Sequence, residues 1–346
     1  MSAQAPPVLR PFANCPALDG CHCVTASLAK VFHHAGHPLS EEVLFGLGAG
    51  IGFIYWQLNF GGETSIFIGG RGNTRSFYQD LGSRTGVCIQ EKHSTSAARA
   101  EELLLQSLRS QTPVMLGGDM AYLPWFNFPP GYHFGGHTFV ACGFDGRQTV
   151  LASDMDPKAS GIKKGFYAPI TLPELRRARS STFKPFPPKN LWFDFDFSQF
   201  QSPTTESIAR PPTFISTRPS KTWASPECAI PPPSSPSGRL SSTTSSSAST
   251  SSTSTSSFEI GGTGGGAFPA MYARFLEQAA SIADQLLYLK AARHFRVSAR
   301  RFTSMAHLFQ DAQTAPDLDQ KIQSASAEFR TLAGIEEKAW RLLESA

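Results

Sequence analysis

Cys23, His137 and Asp154 are the residues of this 346-residue chain whose types and settings can do covalent chemistry together. Cys23 opens a stretch in which Ala26, Leu28, Val31 and Phe32 recur at helical spacing, and Gly36 is a natural stop. A cysteine at the first turn of such a helix meets unpaired N–H groups and the positive end of the helix dipole, which favour thiolate over thiol. The bland alternative is a small buried hydrophobe. His137 and Asp154 lie in YHFGGHTFVACGFDGRQTVLASDMD, which reads as two strands joined by a turn at Gly146-Arg147. His137 starts the first strand and Asp154 ends the second, so one hairpin makes them neighbours. In such a triad the histidine takes the thiol proton and the acid holds the imidazole tautomer. Asp156 competes with Asp154 for that last role.

The elements that must position these residues are a few helices followed by an antiparallel sheet, an α+β pattern. An irregular lead-in carries Asn14, Pro16, Asp19 and Gly20. After the Cys23 helix, HPLSEEVLFGLGAGIGFIYW predicts a helix capped at Ser40, with Glu41 and Glu42 favourable in its first turn. Gly46, Gly48, Gly50 and Gly52 then alternate with apolar residues. This is not a phosphate-binding fingerprint; it reads as close-packed backbone beside the active site, or as plain core packing. Arg71, in the turn after SIFIGG, is suited to a phosphate or carboxylate, or to bonding loop carbonyls. Residues 97–110 form an amphipathic helix and PVMLGGDM a buried strand. The loop AYLPWFNFPPGYHFGGH follows; its Tyr122, Trp125, Phe126 and Phe128 either line an acyl channel or simply pack. His133 either contacts substrate or bonds within that loop. ITLPELRRARSS predicts a helix, and the aromatic-rich segment after it is extended.

Domain limits follow composition. Residues 1–9 read as a flexible N-terminus and 10–200 as the main domain. Residues 201–257 are a Pro/Ser/Thr-rich stretch, all Ser or Thr from 241 to 257 apart from Ala248. Residues 258–346 form an incomplete helical piece with Met271, Phe275, Leu276 and Ala279 on one face and a break near Pro316. Residues 211–257 read either as a genuine linker or as an out-of-frame translation with the frame restored before Phe258, which resequencing the gene decides.

The formal charge of +4 comes from scattered basic residues without interleaved aromatics, which argues against nucleic acid as a partner. The N-terminus has no apolar core and no run reaches membrane length. Six cysteines without framework spacing point to reduced thiols, and the expected location is cytoplasmic. Cys15, Cys88, Cys142 and Cys228 read as inert. The histidines and cysteines between Cys21 and His37 lack metal-ligand spacing, so neither metal nor other cofactor is expected.

Several of these stretches together resemble a known family. HCVTASLAKVFHHAGHPLSEEVLFGLGAGIGFIYW, IGGRGN, DMAYLPWF, HFGGHTFVACGFDG and ARSSTFKPFPP are similar to the N-terminal domain of the butirosin-biosynthesis protein H family, over roughly residues 10–200. IGGTGGGAFPAMYARFLEQAA resembles the helical domain of uncharacterised role that commonly follows it. The resemblance implies a papain-like fold like that of double-glycine leader peptidases. It also implies transfer of an acyl group from an acyl carrier protein thioester to an amine acceptor, with Cys23, His137 and Asp154 at the triad positions. From their own chemistry, Arg71, Tyr122, Trp125 and His133 are the candidate substrate contacts. One departure matters: no Gln precedes the cysteine at the usual oxyanion position. The Cys23 backbone N–H, with His22 or Asn14, is expected to serve instead. A papain-like peptidase or amidase and a non-catalytic carrier-binding scaffold are the alternatives.

Overall fold

The computed structural model describes residues 9–60, 63–71, 76–133, 136–158, 161–184, 186–209, 265–308 and 317–346. The chain forms two compact units, residues 1–47 with 78–203 and residues 48–77 with 204–346. The architecture is α+β, with antiparallel sheet and helices, as expected.

In the first unit, α1 (Cys23–His34) and α2 (Glu41–Leu47) precede α3, which runs over Phe77–Thr85 and crosses the unit boundary at its first residue. The strands β3 (Cys88–Lys92), β4 (Val114–Asp119), β5 (Gly136–Phe144), β6 (Thr149–Met155), β7 (Gly165–Thr171) and β8 (Trp192–Asp196) form one antiparallel sheet. Its order is β3-β8-β4-β5-β6-β7. Helices α4 (Ala97–Arg109) and α5 (Leu172–Ser180) connect strands within it. β4 is buried at all six positions, and β5 and β6 nearly throughout, so their sequences read as apolar runs rather than alternations. Leu104 and Leu108 of α4 and Leu175 and Ala178 of α5 pack on Leu116, Phe139, Ala141 and Ala152. α1 lies against β5, where the Ser27 hydroxyl donates to the Thr138 carbonyl at 3.2 Å.

Local chemistry explains the helix starts. Ser96 Oγ accepts from the Arg99 amide at 3.2 Å. At α5, Thr171 and Glu174 bond each other reciprocally as a capping box, with Pro173 in the first turn. Ser40 caps α2 as its sequence predicts, accepting from the Val43 amide.

The lead-in is a strap across the sheet. The Phe12 amide donates to the Cys142 carbonyl at 2.6 Å, Tyr167 Oη to the Cys15 carbonyl at 2.8 Å, and Gly20 bridges Lys163. Its closeness explains Gly143 and Gly165: a Cβ at either would lie 2.4 Å from a strap carbonyl oxygen.

The second unit joins the hairpin β1 (Ile51–Phe60) and β2 (Glu63–Arg71) with α6 (Thr205–Ala209), α7 (Ala267–Ala283), α8 (Leu286–Leu308) and α9 (Leu318–Glu344). Tyr272, Phe295 and Trp340 form the aromatic centre of the three long helices. Ser298 Oγ donates to the buried Glu336 carboxylate at 2.5 Å; burial pushes that carboxyl up to about 7, with the serine bond opposing. Gly48 packs so closely that an added Cβ would strike the Phe77 ring. Among the described residues, no helix is long and apolar enough to cross a membrane.

Candidate active site

Cys23 is the first residue of α1 and is partly exposed, while the nine residues after it, Val24 to Phe32, are buried. Its predecessor His22 is extended (φ −131°, ψ 129°) and offers no side-chain cap. The turn is instead held from outside. Glu41, at the start of α2, accepts from the Cys21 amide (2.7 Å), the His22 amide (2.7 Å) and Thr25 Oγ1 (2.8 Å). Burial pushes this carboxyl up, and those three donors pull it back down. A single carboxylate thus fixes the approach to Cys23 and the first turn behind it. The sequence signal was visible only as an acid in the first turn of α2, and its role in another helix was missed.

His137 is the second residue of β5 and Asp154 the sixth of β6, as the hairpin reading predicts. His137 Nε2 lies 2.8 Å from Asp154 Oδ2, with side-chain exposures of 10% and 2%. The same oxygen accepts from Trp125 Nε1 at 2.8 Å, and Asp154 Oδ1 accepts from the Met155 amide at 2.8 Å. With Nε2 on the carboxylate, Nδ1 is left for the nucleophile, and the Cys23 sulfur hydrogen-bonds the ring. Burial alone would push the imidazolium down. The attraction and hydrogen bond of Asp154, then those of Cys23, outweigh it and raise the pKa to about 10. By reciprocity the imidazolium favours the thiolate, so the arrangement can hold a charged Cys–His pair ready to attack a carbonyl. Asp156 does not compete: its carboxylate accepts from the Lys158 amide at 2.9 Å and caps a turn.

The loop between β4 and β5 encloses this pair. Phe126 meets His137 edge-on (centroids 5.0 Å apart), and Trp125 packs on Phe139 and Phe166. Trp125 therefore also holds the Asp154 carboxylate, a contact its aromatic character did not reveal. Tyr122 lies under the Arg177 guanidinium at 5.0 Å and against His133. His133 Nδ1 lies 2.7 Å from Asp119 Oδ2, which also accepts from Ser181 Oγ at 2.6 Å. The His133 ring stacks on Phe183 at 4.2 Å. Tyr122 and His133, two of the four candidate substrate contacts, are thus engaged in contacts within and around the loop.

Of the two oxyanion candidates, His22 adjoins Cys23, but its amide serves Glu41 and its Nδ1 meets Thr25 Oγ1 at 3.3 Å. Asn14 is placed elsewhere. Its carbonyl accepts from His33 Nδ1 at 3.1 Å, ten residues along α1 and so about 15 Å from the helix start. The irregular lead-in carries no periodicity from which that path could be read. The Arg71 side chain and residues 211–257 lie outside the described residues. Among the described residues, no three His, Cys, Asp or Glu side chains converge to hold a metal ion.

Residues 22–155 match the family described as butirosin biosynthesis protein H, N-terminal, a span that begins one residue before Cys23 and ends one after Asp154. Residues 241–343 match a domain of unknown function, DUF4872. No curated protein matches the chain.

Proposed function

We propose, from the match of residues 22–155 to the butirosin biosynthesis protein H N-terminal family and its link to secondary metabolism, that this chain is a cysteine acyltransferase. The donor is an acyl carrier protein thioester and the acceptor a small-molecule amine. The observation that carries this reading is one imidazole bridging Asp154 and the sulfur at a helix N-terminus.

Cys23 Sγ attacks the thioester carbonyl, forming a C–S bond and a tetrahedral oxyanion. The Cys23 backbone N–H, at the positive end of α1, faces that charge. Collapse breaks the bond to the carrier's thiol, which leaves with the proton from His137. The result is an acyl-Cys23 thioester. The acceptor amine then adds to the acyl carbon and passes its proton to His137. The second collapse expels Cys23 as thiolate and leaves an amide. Asp154, held by Trp125 and the Met155 amide, keeps the imidazole turned toward sulfur throughout. Loop aromatics over His137 exclude water, which favours an amine over hydrolysis of the thioester.

The test is incubation with acyl-carrier thioesters followed by intact and peptide mass spectrometry. A mass increase on Cys23 that disappears on adding amine is expected. An adduct persisting in Cys23→Ala rules out this nucleophile, and release of free acid at the same rate with and without amine makes the protein a hydrolase.

A further inference from the structure

Five aromatic side chains lie around the start of β5, where His137 sits. Phe126 meets the imidazole edge-on at 5.0 Å between centroids, Phe128 continues from Phe126 at 5.4 Å, and Tyr132 from Phe128 at 5.2 Å. Phe183, from the segment after α5, stacks on His133 at 4.2 Å. Phe186 lies against Gly136, the residue before His137: its Cβ is 3.9 Å from where a Cβ on that glycine would sit. Among the described residues of the first unit, the large apolar side chains left exposed are Tyr132, Ile162, Tyr167, Phe183 and Phe186. Three of those five therefore gather at one end of one strand, with half-buried Phe126 and Phe128 beside them.

Single exposed aromatics are ordinary on a protein surface, whereas several together beside a reactive group mark a ligand groove. These rings are also fixed in advance. The Tyr132 amide donates to the Pro129 carbonyl at 3.0 Å, and the Phe183 amide to Ser181 Oγ, itself bonded to Asp119. A wall so held loses little freedom when a flat group packs on it. The ionisable groups of the loop are already matched: His133 pairs with Asp119, and Arg177 lies over the Tyr122 ring. Lys184, exposed and between Phe183 and Phe186 in the sequence, makes a carboxylated group the competing ligand. The acyl group is the part of the donor that stays bonded to Cys23, and so beside His137, through both half-reactions. A wall that begins at the His137 ring is met by that group rather than by the carrier's arm, which departs after the first.

We propose that these rings form the acyl subsite and select a donor whose acyl group is aromatic, of the arylacetyl or benzoyl kind. This rests on the acyltransferase reading above. The donor's ring packs among those of the wall while its carbonyl carbon bonds Cys23 Sγ, and ring pairs of this sort gain from face-to-edge contact beyond the area they bury.

The experiment gives the full chain N-acetylcysteamine thioesters, which need no carrier protein, and follows acylation of Cys23 by mass spectrometry. In each case the Cys23 thiolate bonds the acyl carbon and N-acetylcysteamine leaves as the thiol. Phenylacetyl, hexanoyl and succinyl thioesters are compared below saturation, each rate divided by that with free glutathione to remove intrinsic reactivity. Phenylacetyl is expected to react about tenfold or more faster than succinyl, and about threefold faster than hexanoyl, the margin an aromatic pair adds to its buried area. In Phe128→Ala, and in Phe186→Ser at an exposed position, the phenylacetyl-to-succinyl ratio is expected to fall about threefold or more. Both rates come from one protein, so a change in the reactivity of Cys23 cancels. A wild-type ratio near unity, a rate with succinyl or hexanoyl that equals or exceeds phenylacetyl, or a ratio kept in both variants overturns the inference. If no thioester acylates Cys23, the acyltransferase reading falls instead, and calorimetry with unreactive amide analogues of the three donors still decides whether the wall prefers the aromatic group.

Discussion

Two histidine–aspartate pairs start from neighbouring rungs of one ladder. In the β4–β5 register Gly118 faces His137 and Asp119 faces Gly136. His137 lies 2.8 Å from Asp154, and His133 lies 2.7 Å from Asp119; both carboxylates are almost fully buried. The pairs differ in what else holds them. Asp154 shares its bonding oxygen with Trp125, and the far side of His137 meets sulfur. Asp119 shares its bonding oxygen with Ser181, caps the turn at the Ala121 amide, and leaves His133 stacked on Phe183. A buried His–Asp pair is therefore not a site by itself. The third partner differs: the Cys23 sulfur meets one pair, which suits it to the proposed role of base, and aromatic rings and a serine make the other a clasp.

The largest effect should come from removing the sulfur. Cys23→Ala is expected to lose covalent acylation entirely, with mass spectrometry finding no adduct on the protein. Next is Asp154→Asn, which keeps shape but removes the charge that holds His137 protonated. A slowing of about 10²–10⁴-fold in acylation is expected, the usual scale of general acid–base catalysis. The pH dependence sharpens this. A folded pKa of about 10, above the ordinary histidine value of about 6.5, means the imidazolium stabilises the fold fully below the lower value and loses that contribution as pH rises through the higher one. Wild-type thermal stability should decline across that window, and Asp154→Asn should abolish the decline. A decline of equal size in both proteins would remove Asp154 as the cause.

How much of this was legible follows the range of each interaction. Cys23 at a helix start, the His137–Asp154 hairpin, the Ser96 cap and the Thr171/Glu174 box are set by residues close in sequence or joined by one turn. Local rules reach them. Glu41 was read as a first-turn acid of its own helix, whereas its carboxylate bonds amides about twenty residues earlier. Trp125 bonding Asp154 spans 29 positions and needs the loop to fold back over the sheet. β3 and β7 escaped because CIQEK is mostly exposed and GFYAPIT carries Pro169, tolerable on an edge strand but a weak signal. The strap has no periodicity at all, which is why Asn14 was assigned to the wrong end of α1.

Trp125→Phe probes the indole donor that holds Asp154 in the proposed catalytic pair. The ring still packs on Phe139 and Phe166, but Asp154 loses one donor. A hydrogen bond to a charged group is worth about 1.5–3 kcal/mol at most, and Met155 and His137 remain. The acylation rate should fall by roughly tenfold or less, with donor KM unchanged, since the indole N–H acts through the acid. A raised KM with unchanged kcat would make Trp125 a substrate contact instead.

The smallest effect on reactivity should come from the second pair. Asp119→Asn weakens the bonds from His133 and Ser181, and His133→Ala leaves buried Asp119 with fewer donors. Each should lower stability by about 1–3 kcal/mol, the cost of an unsatisfied buried polar group. A loosened loop would raise the share of acyl-enzyme lost to water. Alkylation of Cys23 by iodoacetamide in folded protein should stay within a factor of about three of wild type, because neither residue bonds the sulfur or its histidine. His137→Asn, measured alongside, should slow the same alkylation strongly. Equal losses in His133→Ala and His137→Asn, with melting temperatures showing both folded, would break the distinction and give both imidazoles a share in the chemistry.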